Sequence, residues 1–168
     1  SDVRSCVDAL ETIDLIDSSR IFLMGNTIGG SIALMAAAQD QRIAGVGVVA
    51  AFSPWRESNA QYESLRAWSH LHGFLPRLGW FADSPRKAPV DFGEIISCIA
   101  PRPVMIIAPS LDRYSDPEAV NATMSRVASV YGLYGKPRLV FQAPAEIGRM
   151  TMEMCRAMTD FYHRILKE

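Results

Sequence analysis

The apolar residues of this 168-residue chain fall into short unbroken runs, separated by stretches with helical spacing. Ser1 or Asp2 can cap a first helix in which Val3, Cys6, Val7, Leu10 and Ile13 recur on one side. Asp17-Ser18-Ser19 then turns the chain into an apolar strand at 21–24, and a buried helix follows to about Gln39. Arg42 to Ala51 is a second apolar run without alternation, as expected of a parallel strand covered on both faces. Asp91 can cap a short helix to about Cys98, and Pro103 to Ala108 reads as a third strand. A helix over Pro117 to Tyr131, a fourth strand over Arg138 to Gln142 and a closing helix over Met150 to Leu166 complete the series. Such alternation predicts an α/β fold of three layers, a parallel sheet of about four strands flanked by helices.

Residues 53–90 depart from this rhythm. Pro54, Pro76, Pro85 and Pro89 interrupt them, and Trp55, Trp68 and Trp80 all fall there. They read as a cap-like excursion over the top of the sheet, with one helix from about Ala60 to His72. The tryptophans either line a pocket for an acyl or sugar group or pack the excursion itself.

The junction between the first strand and its helix carries the candidate chemistry. There Ile21-Phe22-Leu23-Met24 runs into Gly25-Asn26-Thr27-Ile28-Gly29-Gly30, and a helix begins at once. Strand, glycine-bracketed turn and helix is the layout of a nucleophile elbow, which pushes its central residue to the tip of a strained bend. A strand feeding straight into a helix leaves no room for Cβ atoms beside the turn, which gives the glycines a steric reason. The tip residue is Thr27, where a serine would be the simpler nucleophile.

Composition narrows the partners. A net charge of -1 gives no support for nucleic acid or an anionic membrane surface. No apolar run approaches the ~20 residues that span a bilayer, and residues 1–6 contain no signal-peptide core. Cys6, Cys98 and Cys155 lack metal spacing and are expected as reduced core thiols in a cytoplasmic protein. Gly25 to Gly30 is followed by Ser31 where a phosphate loop needs lysine. Gly45-x-Gly47-x-x-Ala50 leads to Phe52-Ser53-Pro54 and not to a helix, so it is no dinucleotide fingerprint. Neither cofactor nor metal is expected.

The elbow, the run Ile99-Ala100-Pro101-Arg102-Pro103-Val104-Met105-Ile106-Ile107-Ala108-Pro109-Ser110-Leu111-Asp112-Arg113 and the closing strand, loop and helix resemble the C-terminal half of an α/β-hydrolase. Within that superfamily the Pro-Arg-Pro strand is similar to the acetyl-xylan-esterase and dienelactone-hydrolase-like branch. The resemblance covers nearly the whole chain as a single truncated domain, 1–168, and implies kinship with carboxylic-ester hydrolases acting on a small ester or acyl ligand. It also implies missing strands before the elbow, so that the chain is a fragment or a truncated relative.

In an active relative the tip residue attacks an acyl carbon, a histidine takes its proton and a carboxylate orients the histidine. The resemblance assigns the tip to Thr27, the oxyanion amide to Ile28 and the acid to Asp112. Thr27 is either a nucleophile or a turn residue whose hydroxyl bonds locally, and its extra methyl stiffens the side chain. Asp112 is either that acid or a cap or ion-pair partner of Arg113, while Asp116 before Pro117 reads as a helix cap. The family's histidine belongs in the loop after the last strand, which here reads Gln142 to Thr151 without one. Glu146 is the titratable acceptor in that loop. His70 and His72 of the excursion, two apart and so on different helical faces, are the other substitute bases. His163 lies deep in the final helix. Nucleophile, base and oxyanion strand all depart from the pattern, which implies a weak or inactive hydrolase, or a non-catalytic binding or assembly module. Strand 21–24 becomes an exposed edge, predicting a homodimer or a complementing chain paired along it.

Overall fold

A computed structural model describes residues 2–71, 73–135 and 138–167. Helix α1 (Asp2–Leu10) precedes β1 (Ile21–Asn26), α2 (Ile28–Gln39) and β2 (Ile43–Val49). The short α3 (Ser64–Arg66), α4 (Phe92–Ser97), β3 (Val104–Ile107), α5 (Pro117–Gly132), β4 (Leu139–Gln142) and α6 (Met152–Ile165) follow. The four strands form one parallel sheet in the order β1-β2-β3-β4, so the expected α/β architecture holds. Among the described residues no helix is long and apolar enough to cross a membrane.

Alternation along the strands divides the core. Val46, Val48, Val104 and Ile106 face one apolar cluster with Leu34 of α2, Ile96 of α4 and Val127 of α5. Val49, Met105 and Ile107 face the other, filled by Met154, Met158 and Phe161 of α6. Continuous apolar runs thus satisfy both faces of a covered sheet. On the α6 side the phenol of Tyr162 donates to Leu23 O at 2.5 Å.

The Pro-Arg-Pro segment works as a clamp. The Arg102 guanidinium donates to Ala37 O (2.6 Å) and Asp40 O (2.9 Å), carbonyls at the end of α2, and to Ile43 O (2.8 Å) at the start of β2. Burial holds the Arg102 pKa below its ordinary value. Tyr131 of α5 donates to Arg102 O at 2.9 Å, so one residue joins two helices and a strand.

Several expected boundaries move. Helix α1 stops at Leu10 and leaves Ile13 45% exposed. The second strand ends at Val49 because Ala50 adopts φ 49, outside the β region. The helix expected from Ala60 begins only at Ser64, since Asn59 Oδ1 accepts the N–H groups of Gln61 and Tyr62 (both 2.9 Å) and holds a turn there. It continues as one wide turn over Ala67–Leu71, and His72 lies outside the described residues. The cysteines are free, but Cys6 and Cys98 are exposed and Cys155 half-buried, so they are not core thiols.

The excursion is fastened to α4. Asp91 accepts from the N–H groups of Trp55 (2.8 Å), Arg56 (2.8 Å) and Phe92 (2.7 Å), and Glu94 completes a capping box. Trp55 and Trp68 pack at tilted angles against Phe92 inside the core, whereas Trp80 stands 81% exposed.

Candidate active site

Thr27 crowns the bend between β1 and α2 with φ 50 and ψ -120. A positive φ on a β-branched residue is a genuine backbone outlier, held only where surroundings over-determine it. Here they do. A Cβ on Gly25 would stand 2.5 Å from Gly29 O and 2.6 Å from Gly30 Cα, so strand and helix can meet only through glycine at 25. Gly30 is likewise closed in by Ala51 Cβ at 2.8 Å, but Gly29 faces open space, so its steric reason does not hold. The Thr27 N–H donates to Val49 O (2.9 Å), and Ser31, fully buried one turn into α2, donates to Ala51 O and to Thr27 O (3.3 Å).

The elbow opens on a cavity of about 830 Å³ whose wall includes Thr27, Ile28, Ser31, Ala50, His70, Asp112 and Gly148. Ala50 is the other non-glycine residue with positive φ among those described, so both strained positions border one cavity. Ile28 opens α2, where backbone N–H groups have no helical partner and the dipole favours developing negative charge.

Asp112 reaches the cavity from the loop after β3. That loop is tied to the one after β2 by Ser115 Oγ donating to Phe52 O (3.0 Å), and by the Asp116 N–H donating to Ser53 Oγ (3.2 Å). It is tied to the loop after β4 by Ser110 N–H to Pro144 O (2.9 Å) and Leu111 N–H to Glu146 O (3.0 Å). The Asp112 carboxylate accepts the Tyr114 N–H at 3.0 Å. Arg113 does not pair with it; its guanidinium lies over the Tyr114 ring, 4.5 Å from the centroid. Asp116 caps α5 through Glu118 and Ala119 N–H (3.0 and 3.2 Å), as expected.

The loop after β4 meets Asp112 with a glycine. A Cβ on Gly148 would stand 2.6 Å from Asp112 Cγ and 2.7 and 2.8 Å from its oxygens. The carboxylate therefore occupies the volume that a side chain at 148 would need. Glu146 turns away: it accepts from Ile147 N–H (2.9 Å) and Arg149 (3.2 Å), contacts that lower its pKa, and it is not part of the cavity wall. His70 does border the cavity, with Nδ1 2.6 Å from Ser69 Oγ. His163 is exposed in the last turn of α6. The sequence gives Ala50, Ser31 and Gly148 no role at the elbow. Only Gly148, a glycine in the expected base loop, carried a local signal there.

A family model for glucuronyl esterases of fungi matches residues 2–135. The chain belongs to the glucuronyl esterase family. The curated carbohydrate esterase MZ0003, from an unknown prokaryotic organism, is 31% identical over 141 residues, 78% of this chain and 32% of that protein. Two bacterial structures share the fold at greater length. A promiscuous CE15 esterase from a marine bacterial metagenome superposes with TM-score 0.85 at 20% identity, over 96% of this chain and 46% of that one. A CE15 glucuronoyl esterase from Caldicellulosiruptor kristjansonii does so with TM-score 0.79 at 27% identity, over 96% and 47%. The α/β hydrolase GrgF from Penicillium sp. sh18 superposes with TM-score 0.66 at 16% identity, over 97% and 70%. The chain thus spans about a third of the curated relative and about half of the CE15 structures. Kinship with α/β-hydrolase esterases holds, and the family is glucuronyl esterase, where the Pro-Arg-Pro strand had pointed to the acetyl-xylan-esterase and dienelactone-hydrolase-like branch.

Proposed function

We propose that this chain binds a carbohydrate ester, of the glucuronoyl type named in its relatives, in the elbow cavity and hydrolyses it weakly or not at all by itself. Thr27 Oγ would approach the acyl carbon, the Ile28 amide would meet the carbonyl oxygen, and Asp112 would be an acid with no histidine to orient. The reading rests on one observation: the Asp112 carboxylate lies directly against Gly148, leaving no room for a base between them. A threonine hydroxyl without a base is a poor nucleophile, and losing the base costs orders of magnitude in rate. His70 is the imidazole on the cavity wall and the alternative base. A cytoplasmic setting accords with three free thiols.

Hydrolysis of p-nitrophenyl acetate and of benzyl glucuronate tests this. Turnover by the native chain should stay within about threefold of Thr27→Ala. Thr27→Ser with Gly148→His, whose imidazole displaces the Asp112 carboxylate and accepts the serine proton, should raise turnover about a hundredfold. Native turnover abolished by Thr27→Ala would replace this reading with that of a working threonine esterase.

A second reading, assembly through β1, rests on the outer edge of that strand. The Thr27 N–H points to β2, so by alternation Gly25 and Leu23 do too, leaving the backbone groups of Phe22, Met24 and Asn26 facing outward. Among the described residues no strand pairs there, and Met24 is 45% exposed. Such an edge recruits a strand from a second copy or from a complementing chain. Sedimentation should then give a dimer that Met24→Pro, lacking the outward N–H, converts to monomer. A native monomer at every concentration removes the homodimer.

A further inference from the structure

A second cavity, of about 880 Å³, lies between α2, α4 and the turn Pro76–Phe81, and none of its lining residues borders the elbow cavity. Its wall is apolar and aromatic, with Met35 of α2, Ile95 of α4 and Phe74, Trp80 and Phe81 of the excursion. Trp55 also belongs to this wall, though it is only 1% exposed. Its indole Nε1 is the one buried side-chain nitrogen or oxygen among the described residues with no hydrogen-bond partner. Buried polar groups are nearly always satisfied, and an orphan donor beside a cavity is an unmet requirement for an acceptor.

Charge at the mouth narrows the occupant. Glu94 borders the cavity, but Arg56 is ion-paired with it. Arg77, also at the rim, is exposed and has no ion-pair partner among the described residues. Gln39 and Cys98 are also on the wall, and the Gln39 amide donates to Met35 O (3.1 Å), which leaves one cation at the rim and one neutral orphan donor in the wall. Trp80, 81% exposed, adds an aromatic face beside the opening. Aromatic rings stack on such faces, whereas free aliphatic chains gain no such geometry.

We propose that this cavity is a ligand site separate from the elbow, for a flat aromatic carboxylate that carries a neutral oxygen acceptor at its far end. The ring lies among Phe74, Phe81 and Trp80, the carboxylate pairs with Arg77, and, with the indole turned toward the cavity from its covered position, the acceptor oxygen takes the Trp55 Nε1–H. The site does not depend on Thr27 or Asp112, so it stands whether or not the chain hydrolyses esters.

The test uses 6-methoxy-2-naphthaleneacetate, which has both polar ends, beside 2-naphthaleneacetate without the acceptor and 2-methoxynaphthalene without the charge. Calorimetry should show saturable binding of the first probe about tenfold tighter than either comparator. Trp55→Phe, which keeps a ring and removes the donor, should erase the advantage of the methoxy group and leave 2-naphthaleneacetate unchanged. Arg77→Gln should weaken both carboxylates about fivefold and spare the neutral probe. In the unmodified chain, the Trp55 indole resonance should shift on saturation. Maleimide labelling of Cys98, a free exposed thiol on the same wall, should slow about fivefold, with Cys6 unaffected. Equal affinity for all three probes, or an unmoved Trp55 resonance at saturation, overturns the proposal. Concentration-dependent self-association that the probe reverses assigns the cavity to a second copy and overturns it as well.

Discussion

The elbow and the loop after β4 face one cavity, yet they are built under different constraints. At the elbow the backbone is constrained from several sides. Gly25 is pressed against Gly29 and Gly30, Thr27 is held at φ 50, and Ser31 is fastened to the next strand's loop. The loop after β4 is also fastened by its backbone, through Pro144 O and Glu146 O, but it presents a bare Gly148 to Asp112. Packing closes the elbow from several sides, whereas the loop after β4 meets the cavity with a residue that has no side chain. A side chain that only lines a cavity contributes little to the core, so the fold does not depend on what stands at 148. The elbow bend also joins the first strand to its helix, and the core cannot form without it.

The strongest way to break this comparison is Gly25→Ala. Its Cβ would meet rigid backbone at 2.5 Å, so denaturant unfolding should show a loss of about 3 kcal/mol or more. A loss under about 1 kcal/mol would mean the elbow is as free as the loop. Thr27→Gly should stabilise by about 1 kcal/mol, since the strained φ no longer opposes a Cβ, and calorimetry would register a higher Tm. Gly148→Ala should cost less than about 1 kcal/mol, because the Asp112 carboxyl can swing into the cavity. A cost equal to that of Gly25→Ala would erase the contrast. The smallest effect lies outside the cavity, where hydrogen bonding from Arg42 holds the Asp40 pKa down at about 2. A lowered pKa stabilises the fold above the ordinary value of 3.8, and the contribution is lost as pH falls through about 2. Asp40→Asn should flatten that acid limb in a pH series of unfolding curves.

Much of the architecture was legible because its causes are local. Gly-x-Thr-x-Gly-Gly between an apolar run and an apolar helix announced the bend, and Asp91 and Asp116 announced their helices as caps. Four strands were visible as apolar runs because a sheet covered on both faces needs them. The rest depended on partners distant in sequence. Pro101-Arg102-Pro103 was readable as a resemblance, but the carbonyls that Arg102 holds lie 59–65 residues away. Nothing local places Gly148 against Asp112, or His70 on the same cavity wall as Thr27. The periodicity around Ala60 suggested a longer helix because it could not reveal that Asn59 would capture the amides of Gln61 and Tyr62. Cys6 sat at helical spacing with Val7, yet α1 buries only Val7 fully.

The phenol of Tyr162 has a consequence for folding order. It reaches across 139 residues to grip the carbonyl of Leu23, so α6, made after these four strands, secures β1, which is made before the other three. Until α6 arrives, Met105 and Ile107 have no cover on that side, and a nascent chain would expose a sticky half-sheet. A species lacking residues 152–165 should therefore aggregate during synthesis rather than persist as a smaller folded core.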